Sequence, residues 1–459
     1  MTIRGRILVA ALAAATLTAC GGGTSSEEPA AAAAAPGPDA LADADGPVTV
    51  TLWHGLGGTG GAALQAQIDA FNAANTGEIE VQAIFQGNYA DNLAKYTSAI
   101  RDQSTPSILV TNDITTGFVH DAGQTVPAQA LAEANPDDLD LDALVPAARN
   151  YYTADGTLLA VPVATSMPLL YVNEALLTGA GVELSTLDTL DGVAEAARAV
   201  HAAQPDVAGI VQPFDGWWFE QLTAASGSEY CTPDNGRSGD GATTLSLDGD
   251  AQKKAFGTMA DLYTSGVGLD TGPDGNNALT AFAAGKVAMM FNSSGAIGGL
   301  RAAGATFTAL PYPVSGPEDS AGPLIGGAAM WVSGPGHSDA EQVASWKVIS
   351  HLASAQAQEP FSQASGYAPV NTEVADSPTQ QAFLEADPAS QVLAQQFADT
   401  PATPATSGCL SGAMTQIRSE VVPQMQSAFS GATSLDDALQ AAAEGSDEAI
   451  SEYRTQAGK

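Results

Sequence analysis

Positive charge is scarce in this chain of 459 residues. Only 15 lysines and arginines accompany 51 aspartates and glutamates, so the formal net charge is −36. Such a chain is repelled by nucleic acid and by anionic lipid surfaces, which excludes both as partners. Most of the acids are expected to lie on a solvated surface that keeps the protein soluble.

Cysteine and histidine are rare as well. The five histidines show no metal-ligand spacing and no C-x-x-C pair occurs, so the sequence predicts no metal and no other cofactor. The three cysteines are Cys20, Cys231 and Cys409. In an oxidising compartment the last two are expected to form one disulfide, although sequence alone does not give the geometry.

Catalytic motifs are missing too. The sequence contains no G-x-S-x-G, S-x-x-K, H-E-x-x-H or Walker A pattern, and no spacing singles out a carboxylate pair among the acids. A G-x-G-x-x-G match at 55–60 is weak by itself and is interpreted as a tight turn before a helix. The sequence therefore favours a binding function over an enzyme.

Long apolar runs are absent after the N-terminus. Two early cations precede an apolar run at 7–19, which is too short to span a bilayer and is typical of an export signal. Leu-Thr-Ala-Cys-Gly at 17–21 resembles the bacterial lipobox, which implies cleavage before Cys20 and lipid on its thiol. Residues 1–19 are then the signal peptide and 20–47 a flexible linker. This predicts anchoring by lipid to the outer face of the bacterial cell membrane.

The remaining chain begins with alternating strand and helix patterns. Strands are predicted at 48–53, 78–85 and 107–111. Helical spacing from 64 through 75 and a predicted helix at 89–103 lie between them. This β-α-β-α-β order predicts an α/β fold, and roughly 410 residues are enough for two domains of ordinary size. Further on, one helix is predicted over 378–398 and another over 411–430.

Arg418 breaks the apolar stripe of the second of these helices. Apolar residues recur at helical spacing at Met414, Ile417, Val421, Met425 and Phe429. Arg418 lies about 20° from Met425 around the helix, so its guanidinium points inward. A buried guanidinium needs an anionic partner, which is either an internal carboxylate or a carboxylate or phosphate of a ligand. The stripe leaves both interpretations open.

Two other stretches are candidates for a site. Four aromatic residues lie within 214–219 of a chain that is only 6% aromatic, and they form either a core cluster or a wall for a ligand. A predicted strand at 286–291 ends in Asn-Ser-Ser-Gly at 292–295. Ligands of α/β proteins bind at such carboxyl ends of strands.

Nine short motifs lie along nearly the whole mature chain, over roughly 48–457: Leu52-Trp53-His54, Phe71-Asn72-Ala73, Gln86-Gly87-Asn88-Tyr89, Thr105-Pro106-Ser107-Ile108-Leu109, Ser166-Met167-Pro168-Leu169-Leu170-Tyr171, Ser293-Ser294-Gly295, Ile325-Gly326-Gly327-Ala328-Ala329-Met330-Trp331, Gly366-Tyr367-Ala368-Pro369 and Gln416-Ile417-Arg418. In this order they resemble one protein family, the extracellular solute-binding proteins of bacterial ABC importers. Within it they are most similar to the sn-glycerol-3-phosphate-binding branch of the maltose-binding-like group.

The resemblance implies a two-lobed periplasmic-binding-protein fold of type II with a hinge and a cleft between the lobes. Lobe 1 is expected at 48–164 plus about 327–356, and lobe 2 at 165–326 plus about 357–459. Chain crossings are expected near 164, 326 and 356–366. The family's ligand-binding positions fall on Tyr89, Asp113, Ser166, Phe214, Trp217, Ser293, Gly327, Tyr367 and Arg418.

The resemblance also assigns roles to these residues. Tyr89 and Asp113 would bind glycerol hydroxyls, and Tyr367 and Arg418 would hold the phosphate. Asp113 replaces the family's Glu, and Phe214 replaces a Trp, which leaves room for a larger head group. The implied function is capture of glycerol 3-phosphate or a glycerophosphodiester such as glycerophosphocholine, by a monomer that delivers it to an ABC permease. The alternative is a mono- or oligosaccharide-binding protein.

Overall fold

The computed structural model describes residues 35–238, 241–317 and 320–458. Within these ranges the chain builds two main β-sheets, each with helices packed on it. The first sheet is made of β1 (Val48–His54), β2 (Ile79–Phe85), β3 (Ile108–Asn112), β4 (Thr125–Val126), β7 (Val161–Ser166) and β14 (Gly326–Ser333). The second is made of β8 (Pro168–Val172), β9 (Ala208–Val211), β12 (Val287–Ser293) and β13 (Thr308–Pro311). Two short hairpins are β5 (Thr153–Ala154) with β6 (Thr157–Leu158), and β10 (Cys231–Thr232) with β11 (Thr244–Leu245).

Helices surround both sheets. In the first half of the chain they are α1 (Asp39–Ala42), α2 (Gly58–Ala74), α3 (Tyr89–Asp102), α4 (Thr116–Asp121), α5 (Ala128–Ala134), α6 (Pro146–Tyr151), α7 (Glu174–Gly179), α8 (Leu190–Ala203) and α9 (Gly216–Ala225). In the second half they are α10 (Asp250–Thr264), α11 (Gly275–Ala283), α12 (Ala296–Ala302), α13 (Asp339–Ala353), α14 (Ala355–Ser365), α15 (Pro378–Ala386), α16 (Pro388–Asp399), α17 (Pro404–Ser407), α18 (Met414–Phe429) and α19 (Leu435–Ala457).

The first sheet has the predicted β-α-β-α-β beginning. Strands β1, β2 and β3 are parallel in the order β2-β1-β3, and α2 and α3 connect them. The inward residues of β1 alternate with outward ones, so Val50 and Leu52 are fully buried. Parallel neighbours place their carboxyl ends at one edge of the sheet. His54 therefore pairs with Phe85 and Val110 near that edge.

The second sheet is covered on both faces. Strand β8 is buried along its whole length, and its residues alternate between two apolar clusters. Leu169 and Tyr171 face the cluster shared with the first sheet, whereas Leu170 and Val172 face a cluster built with α8, α9, α10, α18 and α19. A strand buried on both faces needs a continuous apolar sequence, which Pro168–Val172 provides.

Three segments that connect the two sheets lie side by side. Gly326 pairs with Ser166 and Gly327 with Thr165 where β14 and β7 meet. Thr165 also forms an isolated bridge with Ala368, just after α14. Backbone pairing thus joins the three connections between the sheets.

Two expectations from the sequence need correction. The expected linker extends to residue 47, but α1 lies within it and Leu41 packs against the core. The helix expected over 378–398 is two helices, because Pro388 removes a backbone donor and disfavours helical geometry at Asp387. Cys20 and the expected signal peptide lie outside the described residues. In the described part of the chain no helix is both long and apolar enough to cross a membrane.

Candidate functional site

The predicted site residues come from the ends of strands and the starts of helices on both sheets. Asp113 follows β3 in a short 3-10 turn, and its side chain is buried. Ser166 ends β7, and Gly327 lies in the second position of β14, opposite the neighbouring Thr165. Ser293 ends β12. Strand ends therefore bring polar groups of both lobes to the region where the connecting segments cross.

Arg418 lies on α18 beside the apolar stripe that the sequence predicts. All five stripe residues are buried, which confirms the helix and its inward face. The Arg418 side chain is 18% exposed and forms a two-point ion pair with Glu220 on α9. Its Nε donates to Glu220 Oε1 at 2.7 Å and its Nη2 donates to Oε2 at 3.0 Å. Of the two partners left open by the sequence, the structure contains the internal carboxylate.

This ion pair leaves part of the guanidinium free. A guanidinium carries five N–H donors, and Glu220 accepts two of them. Within residues 35–238, 241–317 and 320–458, no other hydrogen bond of the Arg418 guanidinium is found. Nη1 and one N–H of Nη2 can therefore still donate to a bound anion.

Helix α9 is shaped around the Arg418 side chain. A Cβ placed on Gly216 would lie 2.3 Å from Arg418 Cγ, so only glycine leaves room for the arginine stem. Glu220 is one helical turn further on, on the same face of α9, and reaches the guanidinium head. Asp215 caps the same helix, and its carboxylate accepts a hydrogen bond from Trp217 N at 2.8 Å.

Three carboxylates surround one guanidinium at this site. Burial raises the pKa of Asp113 to about 7; Arg418 opposes that rise, while Glu220 and Asp215 add to it. Burial likewise raises the pKa of Asp215 to about 6, against the attraction of Arg418. Burial acts to lower the pKa of Arg418, but Glu220, Asp113 and Asp215 together raise it. The guanidinium is permanently charged, and the site as a whole is acidic.

Two tyrosines from different segments, Tyr89 and Tyr367, lie close together. The Tyr89 hydroxyl at the start of α3 is buried and forms no hydrogen bond of ordinary geometry with any described residue. Burial and the nearby Tyr367 hydroxyl raise the pKa of Tyr89. Tyr367 stacks on Phe361 with ring centroids 6.0 Å apart. A Cβ on Gly295 would lie 3.5 Å from Tyr367 Cζ and 3.6 Å from Ser293 Oγ, which places the tyrosine and the serine together.

Trp217 and Ser166 form a second group. A Cβ on Gly326 would lie 2.8 Å from Trp217 Cζ2 and 3.2 Å from Ser166 Oγ. The Trp217 Nε1 is buried and has no hydrogen-bond partner within the described residues. Gly327 has φ +117°, and a Cβ there would lie 1.8 Å from the Ala164 carbonyl oxygen, so glycine is required. An indole N–H without a partner is a donor that a ligand can satisfy.

Phe214 does not belong to either group. It is 1% exposed and packs edge-on against Tyr263 and Phe429 in the core behind α9 and α18. The structure places the Phe214 ring in the core cluster rather than in the cleft wall that the sequence suggests. Of the two interpretations of the 214–219 cluster, the core one holds for Phe214, Trp218 and Phe219.

Sequence reasoning missed Glu220 and Asp215. Nothing in a spacing pattern separates these two from the other acids of the chain. One signal was available for Glu220, since it is the only charged residue in the apolar helix α9. A lone acid on a buried face needs a cation, by the same argument that selected Arg418.

The remaining pair of cysteines is bonded. Cys231 and Cys409 form a disulfide with a Cα–Cα distance of 5.7 Å. It ties the hairpin at β10 to the segment that leads into α18. Among the described residues no group of three or more His, Cys, Asp or Glu side chains is arranged to hold a metal ion.

A family model described as bacterial extracellular solute-binding protein matches residues 66–391. This chain belongs to that family. It is a solute-binding protein of an ABC importer, a class that binds small molecules outside the cytoplasm and delivers them to a permease. The family and the relatives are binding proteins rather than enzymes.

Several known proteins are similar over most of the chain. The sn-glycerol-3-phosphate-binding periplasmic protein UgpB of Pectobacterium atrosepticum is 26% identical over 411 residues, covering 88% of this chain and 91% of that protein. UgpB of Escherichia coli K12 is also 26% identical, covering 88% of this chain and 93% of its own length. The resemblance found in the sequence is confirmed at this level.

Solved structures agree on the fold. UgpB from Mycobacterium tuberculosis, in complex with glycerophosphocholine, has a TM-score of 0.77 at 20% identity and covers 88% of this chain and 98% of that one. The GacH receptor of Streptomyces glaucescens, solved unliganded and with acarbose, has a TM-score of 0.73 at 22% identity and covers 89% and 99%. The predicted two-lobed fold is confirmed, and structures that bind phosphodiester and sugar match it similarly well.

Proposed function

We propose that this protein captures a glycerol phosphate ester, either glycerol 3-phosphate or a glycerophosphodiester, and delivers it to its permease. The observation that carries the proposal is that Glu220 accepts hydrogen bonds from only two of the five N–H groups of the Arg418 guanidinium. Glu220 holds it in one orientation through two N–H groups, and the other three N–H groups have no acceptor among the residues that the structure describes. A phosphate oxygen is a suitable partner for these donors, because both members of the hydrogen bond are charged.

Other polar groups around Arg418 suit the rest of such a ligand. Asp113 and the unpaired Tyr89 hydroxyl would bind the glycerol hydroxyls from the first lobe. Ser166, Ser293 and Tyr367 would donate to the phosphate side, together with the backbone at Gly327. The face and N–H of Trp217 would line the wall. Each of these residues has a polar atom that can form another hydrogen bond. A bound ligand would supply the partner, and a buried polar atom without a partner is costly.

Closure of the two lobes would bury the ligand. Asp113 comes from the first sheet and Arg418 from the helices on the second, so a ligand bridging them favours the closed arrangement. The proposed lobes are 48–164 with 327–356 and 165–326 with 357–459. The hydrogen-bonded segments near Thr165, Gly327 and Ala368 would act as the hinge. The closed monomer then docks on the permease.

A neutral mono- or oligosaccharide is the second candidate. The Arg418–Glu220 ion pair favours it, since a guanidinium that is already neutralised has a structural role without any ligand. Sugar hydroxyls also bind carboxylates and stack on aromatic faces such as Trp217. The glycerol ester remains the first candidate because of the free donors on Arg418.

A ligand panel followed by thermal unfolding tests the proposal. A soluble form that lacks residues 1–34 and keeps α1 is mixed with glycerol 3-phosphate, glycerophosphocholine or maltotriose. A ligand at 100 times its dissociation constant stabilises the folded state by about 2.7 kcal/mol, which raises the melting temperature measurably. A rise with a phosphate ester supports the proposal, whereas a rise with maltotriose alone would contradict it and support the sugar.

The lipid anchor is a separate proposal that rests on the sequence at 17–21. Substitution Cys20→Ser should leave the protein in the soluble fraction, while the natural protein sediments with membranes. Sedimentation of the variant with membranes would contradict anchoring through Cys20.

A further inference from the structure

Glu220 has a position that the family resemblance does not assign. Its side chain is 5% exposed, and both of its carboxylate oxygens bind Arg418. It occupies the Nε–Nη2 edge of the guanidinium, which is the edge that most naturally holds two oxygens of an anion. A phosphate therefore meets Arg418 only at the opposite end, through Nη1 and the outer N–H of Nη2.

The charge around this end is negative on balance. Arg418 contributes one positive charge, and Glu220, Asp113 and Asp215 face it from α9 and from the turn after β3. A glycerophosphodiester with an ammonium head group carries one negative and one positive charge and adds no net charge to the site. A phosphate monoester carries between −1.5 and −2 at neutral pH, so repulsion from the carboxylates acts on it much more strongly.

We infer that Glu220 is a specificity-determining residue that selects a zwitterionic phosphodiester over a phosphate monoester. The inference rests on the proposed function and narrows it to one substrate class. Glu220 acts in two ways: it fixes the guanidinium so that its free end faces the ligand, and it removes the excess positive charge that would attract a dianion. Gly216, one turn earlier on α9, leaves the space in which Arg418 can adopt this orientation.

Calorimetric titration of the wild type and Glu220→Gln with glycerophosphocholine and glycerol 3-phosphate tests this inference. The amide keeps the shape of Glu220 and one acceptor for Arg418 while it removes a negative charge. The readout is the ratio of the two dissociation constants, which a change in stability alone does not alter. At pH 7.5 the wild type is expected to bind the diester at least roughly tenfold more tightly than the monoester.

In Glu220→Gln this ratio should move by roughly tenfold or more toward the monoester. The variant no longer repels the additional negative charge of the monoester, and this repulsion is substantial at an effective dielectric constant near 20. Glu195→Gln on α8 is the control, since it removes the same charge from an exposed position. The control should leave the ratio unchanged. An unchanged ratio in Glu220→Gln, or a wild type that prefers the monoester, would overturn the inference while the proposed function stands.

A second measurement uses the natural protein and is independent of whether the variant folds. Between pH 7.5 and 5.5 the monoester gains a proton and becomes a monoanion, whereas the diester does not titrate. Asp113 and Asp215 also gain protons in this interval, which weakens the repulsion of the monoester further, so the protein and the ligand change the ratio in the same direction. The preference for the diester should shrink several-fold at pH 5.5. A constant ratio would overturn the inference, and failure of both esters to bind would refute the proposed function itself.

Discussion

Gly216 and Arg418 are in such close contact that the arginine stem occupies the space of a missing side chain. A Cβ on Gly216 would lie 2.3 Å from Arg418 Cγ and 2.6 Å from Cδ. Helix α9 therefore positions Arg418 in two ways. Gly216 leaves space for the stem of the side chain, and the carboxylate of Glu220 binds the guanidinium. The orientation of Arg418 depends on a helix from a distant part of the sequence.

Substitution Gly216→Ala is expected to displace Arg418 and weaken phosphate-ester binding at least roughly tenfold, the cost of losing one charge-assisted hydrogen bond. Alanine favours a helix over glycine, so the secondary structure should persist. Calorimetric titration measures the affinity, and Gly257→Ala on α10, where a Cβ meets nothing nearer than 3.6 Å, is the control. Unchanged affinity in Gly216→Ala would show that the position of Arg418 does not matter for binding.

Substitution Trp217→Phe removes an indole N–H that has no partner in the described residues. If the ligand accepts this hydrogen bond, the affinity should fall by roughly tenfold, while the melting temperature of the free protein hardly changes. Trp346→Phe is the matched control, because its Nε1 is also buried without a partner among the described residues, but the ring lies in the core cluster of the first sheet. Equal affinities for Trp217→Phe and the natural protein would exclude Trp217 Nε1 from the site.

Asp113 should make the stability of the free protein depend on pH. Burial raises its pKa to about 7, so between pH 4 and 7 the folded state binds more protons than the unfolded state and loses stability as the pH rises. Asp113→Asn removes this loss. The free energy of unfolding of the variant, relative to that of the natural protein, should therefore be higher at pH 8 than at pH 5 by on the order of 2 kcal/mol.

Urea unfolding at the two pH values measures this difference for Asp113→Asn. The exposed Asp188→Asn serves as the control and should show no such gain. A gain at pH 5 larger than at pH 8 would contradict the sign of the effect.

The disulfide between Cys231 and Cys409 closes a large loop, with 178 residues separating its ends. Cross-linking residues so far apart restricts the unfolded chain, and reduction should lower the free energy of unfolding by about 3–5 kcal/mol. Urea unfolding with and without a reductant measures this loss. The double variant Cys231→Ser with Cys409→Ser should unfold at the same urea concentration as the reduced natural protein, with or without reductant. An unchanged midpoint of the natural protein after reduction would contradict a stabilising bond.

Local periodicity explains which parts of the fold could be predicted. The alternation in 48–54 and the helical spacing in 64–71 depend only on neighbouring residues, so the strands and helices at the start of the first sheet were predicted closely. The single helix expected over 378–398 is divided at Pro388, because proline disfavours helical geometry in the residue before it. The order of strands in the second sheet depends on distant pairings and was not predicted.

The site was predictable where a residue conflicts with its surroundings. Arg418 was found because a cation lies within an apolar stripe, but its partner Glu220 is 198 positions away and belongs to a different helix. Phe214 and Trp217 look equivalent in the sequence, and only packing separates the buried ring from the one beside Ser166. Contacts between distant segments decide such cases, and a sequence pattern does not contain them.

Calorimetric titration of the natural protein and of Arg418→Ala, each with glycerophosphocholine and with maltotriose, tests the central claim most directly. The proposal predicts saturable binding of one glycerophosphocholine per protein, its loss in Arg418→Ala, and no binding of maltotriose. Thermal unfolding of the variant without ligand checks that it is folded, because Glu220 loses its partner there. Binding of maltotriose alone, with an affinity that Arg418→Ala retains, would contradict the claim and leave Arg418 as a structural partner of Glu220.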